Sequence, residues 1–131
     1  MASISAYLEK AALDWYLQGA TPTRPAALAV GLSLGSPTST SGSEIATTYG
    51  YTRQTIGFAA AASPGGSATN TNAATFSFTT AASVSGIGLW DTVLSANSGN
   101  LLQYGLLATA RTVASGDSLV VASGALTVSL A

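Results

Sequence analysis

The groups in this chain able to do acid–base chemistry are few. Glu9, Asp14, Glu44, Asp91 and Asp117 supply carboxylates, Lys10, Arg24, Arg53 and Arg111 supply cations, and there is no histidine or cysteine. That excludes a Ser-His or Cys-His nucleophile, an imidazole or thiolate metal site, and disulfides. A paired-carboxylate hydrolysis remains, using Asp91 and Asp117, or Glu44. The neighbouring residues speak against it: Asp117 follows Ser115-Gly116 in a turn signal, Asp91 ends a strand after Trp90, and Glu44 stands in a polar loop. Gly86-Ile87-Gly88 resembles the start of a phosphate-binding motif, yet no third glycine follows. Small residues within a strand more often mark close packing or a bulge. There is no Gly-x4-Gly-Lys run and no acidic cluster suited to calcium. The expectation is a protein without catalytic residues, cofactor, metal or small-molecule substrate.

The four cations lie far apart in sequence, so they do not make the clustered charge that nucleic acid requires. Arg53 falls mid-strand beside Tyr51, where a guanidinium can stack and pair with a carboxylate of its own or a neighbouring subunit. Tyr7, Trp15, Tyr16, Tyr49, Tyr51, Trp90 and Tyr104 read as core and interface anchors ahead of a carbohydrate platform. Charged residues make up 7% of the chain, against about a quarter in soluble domains. The surface must therefore be largely Ser, Thr, Ala and Gly. Much of it is expected to face other protein rather than water, which makes the chain a subunit of a larger assembly.

These residues need elements to position them. The length of 131 residues fits one domain, with residues 1–20 as a helical arm and 25–131 as the body. The spacing predicts a helix over Ser3–Gln18, with Ile4, Tyr7, Leu8, Ala11, Ala12 and Trp15 on one face. Ser3 or Ser5 serves as N-cap, and Gly19 is the natural stop. Leu13, Tyr16 and Leu17 widen the apolar stripe beyond one packing face. The helix either packs on its own sheet or docks in part on a neighbouring subunit; on the second reading Ile4, Tyr7, Leu8, Trp15, Tyr16 and Leu17, with Arg53, are the expected interface residues. Glu9, Lys10 and Asp14 interrupt residues 1–20, unlike a secretory signal. The charge-free stretch from Gln54 to Trp90 contains Pro64, Gly65, Gly66 and many hydroxyls, unlike a membrane span. The expected product is made in the cytoplasm and stays soluble there until it assembles.

Past Thr21 the period falls to two. Ala26–Leu34 places Leu28, Val30, Leu32 and Leu34 on one face. Tyr51–Phe58 sets Thr52, Gln54, Ile56 and Phe58 opposite Tyr51, Arg53, Thr55 and Gly57. Further strands are predicted at Ala74–Phe78, Val84–Trp90, Leu101–Ala108, Ser118–Ala122 and Leu126–Leu130. Turn signals at Ser98-Gly99-Asn100, Ser115-Gly116-Asp117 and Ser123-Gly124 separate the later ones. Two Ser/Thr/Gly-rich loops, 35–48 and 59–72, are each expected to be mobile or ordered by a partner. The predicted fold is mainly β, an antiparallel β-sandwich or jelly roll with one N-terminal α-helix.

Several blocks together resemble a family of small tailed-phage virion proteins. They are Ser5-Ala6-Tyr7-Leu8-Glu9, Pro25-Ala26, Tyr51-Thr52-Arg53-Gln54 with Phe58, and Gly99-Asn100-Leu101-Leu102-Gln103-Tyr104-Gly105. Val113-Ala114-Ser115-Gly116-Asp117 and Gly124-Ala125-Leu126-Thr127-Val128 complete the series. Members are labelled tail-fibre-like, and similar small β proteins act as capsid cement. The chain carries no fibre repeat and no heptads. The resemblance and that compactness together imply a capsid decoration (cement) protein bound to the major capsid protein and to copies of itself as a homotrimer. A tail or tail-fibre subunit is the alternative, and a host-glycan-binding module stands behind both.

Overall fold

The computed structural model describes residues 3–63, 66–95 and 98–129. Strand β1 (Ser3–Ile4) leads into helix α1 (Ala6–Gln18). Then follow β2 (Ala29–Ser33), a 3-10 turn (Thr47–Tyr49), β3 (Gln54–Thr55), β4 (Ser67–Thr69) and β5 (Ala74–Ser77). The series closes with β6 (Ala82–Trp90), β7 (Leu101–Val113), β8 (Ser118–Val121) and β9 (Thr127–Ser129). A five-stranded antiparallel sheet in the order β1-β7-β6-β2-β3 makes one layer, and the ladders β4-β9 and β5-β8 make up the rest. The fold is an antiparallel β-sandwich with one helix. Its core joins Val30, Leu32, Val84 and Leu89 of the large sheet to Phe76, Phe78 and Leu126.

Helix α1 begins later than its periodicity predicts. Ser5 is the N-cap: its hydroxyl accepts from Leu8 N–H at 3.1 Å and donates to Leu101 C=O at 2.5 Å. Because Ser5 is extended and tied to β7, the residues before it pair as strand, Ser3 with Tyr104 and Ile4 with Gln103. Ile4, expected on the helix, is a strand residue. Gly19 ends the helix in the left-handed conformation at φ 72°, as its position predicts. Removing the cap with Ser5→Ala is expected to cost about 1–2 kcal/mol. Hydrogen exchange should speed up over residues 6–18 while the β-core amides stay protected.

The alternating segments largely become strands, with three departures. In β5 the alternation holds, Ala74 and Phe76 in and Thr75 and Ser77 out. Strand β2 is buried on both faces, because segment 35–48 folds back over the outer one. Ser33 and Glu44 form a bridge, and Ile45 N–H bonds Leu32 C=O at 2.9 Å. That loop is ordered by its own sheet, while Leu34, expected inside, is exposed. Between Tyr51 and Phe58 only Gln54–Thr55 is strand, and the buried residues run Tyr51, Arg53, Ile56. The alternation slips by one residue there, since Glu44 draws Tyr51 and Arg53 inward and Leu28 C=O takes the Ile56 N–H. Loop 59–72 contains an unforeseen strand, β4, and the buried Asn70. Pro64-Gly65 and Leu130 lie outside the described residues.

Candidate functional site

The carboxylates singled out for hydrolysis have other tasks. Asp91 accepts from the Asn100 backbone N–H at 2.7 Å and from its side-chain amide at 2.8 Å, closing a loop. Asp117 is exposed in the turn between β7 and β8. Among the described residues no three His, Cys, Asp or Glu side chains gather as metal ligands.

Glu44 and Arg53 form a bidentate ion pair, Nε to Oε1 at 2.7 Å and Nη2 to Oε2 at 2.8 Å. Their side chains are 2% and 0% exposed, respectively. Arg53 Nη1 also donates to Thr92 C=O at 3.1 Å and Ser98 C=O at 2.9 Å, so one guanidinium holds both ends of an exposed loop. Its face lies 3.8 Å from the centroid of the Trp90 ring rather than on Tyr51. Sequence reasoning named the pairing and the stacking for Arg53 and left the chain of the carboxylate open. The carboxylate belongs to the same protomer, and Arg53 is inside the fold instead of on a surface where a second chain could meet it.

Glycines make room for this cluster. A Cβ on Gly31 would stand 2.8 Å from the Tyr51 hydroxyl, and one on Gly88 3.0 Å from Leu101. On Gly86 it would meet Pro37 at 2.8 Å, beside the β6–β7 register shift. Gly86-Ile87-Gly88 thus serves close packing and a bulge. The Tyr51 hydroxyl accepts from Leu32 N–H at 2.9 Å and donates to Glu44 Oε1 at 3.0 Å, and its ring stacks on Phe76 at 5.8 Å. Burial, and next the neighbouring Glu44 charge, raise the Tyr51 phenol well above its ordinary value of 10. Below about pH 10 the phenol is protonated in both states and its contribution is complete. Above that, only the unfolded chain ionises, so stability falls by up to about 1.4 kcal/mol per pH unit. Denaturant unfolding between pH 9 and 12 should lose this slope in Tyr51→Phe.

The outer surface is unusual on two elements. No residue of helix α1 is buried. Leu8 packs partly on the core, whereas Tyr7, Trp15, Tyr16 and Leu17 are 49%, 57%, 78% and 70% exposed. Leu13 is exposed beside them. The second surface was not foreseen: β7 and β8 diverge from the turn at residues 114–117, β7 pairing with β6 and β8 with β5. Between them opens a groove of about 760 Å³, with Leu106 and Val120 exposed along it. Its only sequence signal was the run of large residues on both faces of Leu101–Ala108 and Ser118–Ala122.

A β body whose buried charges set its own loops, and whose helix is left uncovered, is the build of a structural subunit. A family model described as podophage GP4 fiber I protein gp80 matches residues 3–129, and the chain belongs to that family. It is a structural virion protein of tailed phages, in a family of fibre-type proteins. No curated protein matches the chain. The family favours the fibre alternative over the cement expectation. Compactness and missing heptads had pointed the other way, because they describe one protomer and say nothing of how copies join.

Proposed function

We propose that the protein is a fibre-type subunit of the podophage tail, acting by binding energy alone and assembling with copies of itself. The observation that supports this most is helix α1, whose large apolar side chains have no cover within the protomer. Monomeric proteins rarely leave so much contiguous apolar surface in water. The scarcity of charge fits a surface that faces protein in the particle. Imaging of intact particles tests the reading: density at the tail supports it, and density on the head overturns it. Head density in threefold clusters on the major capsid protein would instead match a homotrimeric cement protein, a reading favoured by the compact body without heptads.

The helix is the place to weaken assembly. Tyr16→Ser with Leu17→Ser removes two large side chains, each worth about 1.5–3 kcal/mol when buried. Association measured by ultracentrifugation should weaken ~100-fold or more, with melting of the dilute protein nearly unchanged. A variant that melts much earlier but assembles normally would put the helix in the protomer's own core.

A further inference from the structure

We infer that helix α1 of one copy docks into the β7–β8 groove of the next, a head-to-tail contact between unlike surfaces. The inference rests on reading α1 as an assembly face, and it names what covers that face. Glu9, Leu13, Tyr16 and Leu17 recur at i, i+4, i+7 and i+8, so they share one side of the helix. Leu13, Tyr16 and Leu17 are 57%, 78% and 70% exposed and offer roughly 400 Å² on that side, at about 150–250 Å² for each large residue when whole. One partner in a standard interface contributes about 800 Å², so this stripe supplies about half of a stable contact.

The groove is its counterpart. Leu106, Leu107, Leu119, Val120 and Val121 line it, drawn from both layers of the sandwich, and Arg111 stands on its wall. Charge complements shape. Glu44 pairs with Arg53 and Lys10 with Asp14; of the charges outside these two pairs, exposed Glu9 lies on the helix stripe and exposed Arg111 on the groove wall. Seating the apolar stripe in the groove gives Glu9 of one copy a cation in the next. Because the two surfaces differ, each bound copy still presents one of each. Such contacts close into a ring or continue as a filament.

The test uses two full-length variants at exposed positions, Leu17→Arg on the helix and Val120→Arg in the groove. In sedimentation velocity each alone should lose self-association at least tenfold. Mixed, they should form a 1:1 heterodimer, since one retains its groove and the other its helix. Glu9→Arg and Arg111→Glu should each weaken association several-fold, and together restore it. Two variants that stay monomeric when mixed would overturn the inference. So would a Val120→Arg chain that associates like the parent. A parent chain that is monomeric at all concentrations yet binds tail particles through α1 would overturn it while leaving the fibre function intact.

Discussion

Glu44→Ala is expected to lower the unfolding free energy by about 3–5 kcal/mol, the cost of leaving one member of a buried ion pair alone. The Arg53 side chain is 0% exposed, so the variant leaves a buried guanidinium without its carboxylate. Tyr51 loses its acceptor in the same step. For a domain of this size the melting temperature should fall by ~10–20 °C. Glu44→Leu with Arg53→Met removes both charges together and should cost less than Glu44→Ala alone. It should also free the Thr92 and Ser98 carbonyls, so hydrogen exchange over the described parts of the 91–100 loop should rise. A loss under about 1 kcal/mol for Glu44→Ala would mean that the pair is solvated, with no part in setting the loop.

Asn70→Leu should be the other severe change, at about 3–5 kcal/mol. Asn70 is 2% exposed. Its amide donates to Asn72 C=O at 2.8 Å and Ala122 C=O at 2.9 Å, and its Oδ1 accepts from Leu126 N–H at 2.8 Å. Its backbone bonds Leu126 C=O and Gly124 N–H, so one residue ties β4 to the turn before β9. Leucine fills the space but leaves two carbonyls and an N–H without partners, each costing about 1–3 kcal/mol. Asn70→Asp keeps the Leu126 contact but turns a carboxylate oxygen toward the two carbonyls, so it too should be strongly destabilising. Chemical denaturation should place the parent above both variants. Equal stability of parent and Leu variants would show that water reaches the freed groups.

Local patterns carried the parts of the fold that depend on near neighbours. Helix α1 and its glycine stop follow from a 3.6-residue period and the left-handed freedom of Gly19. The Ala74-Phe76-Phe78 alternation follows from one wet and one dry face. Prediction slipped where a residue distant in sequence took control. Ser5, held by Leu101 C=O, turned Ile4 into strand. Glu44, in a stretch that reads as solvent-facing, broke the alternation at Arg53 and folded its own loop onto the sheet.

Composition alone left the chain without imidazole, thiolate or clustered charge, and the wide apolar stripe of its helix was legible from the 3.6-residue period. Those properties are sums over side chains or over one helical turn, so no tertiary contact alters them. Which carboxylate meets Arg53, that Asn70 closes the second layer, and that β7 and β8 part into a groove were decided by folding. Each joins residues far apart in the chain, Asn70 with Leu126 and Arg53 with Ser98 among them. Pairings of that range depend on how two layers stack, a choice that no local period encodes.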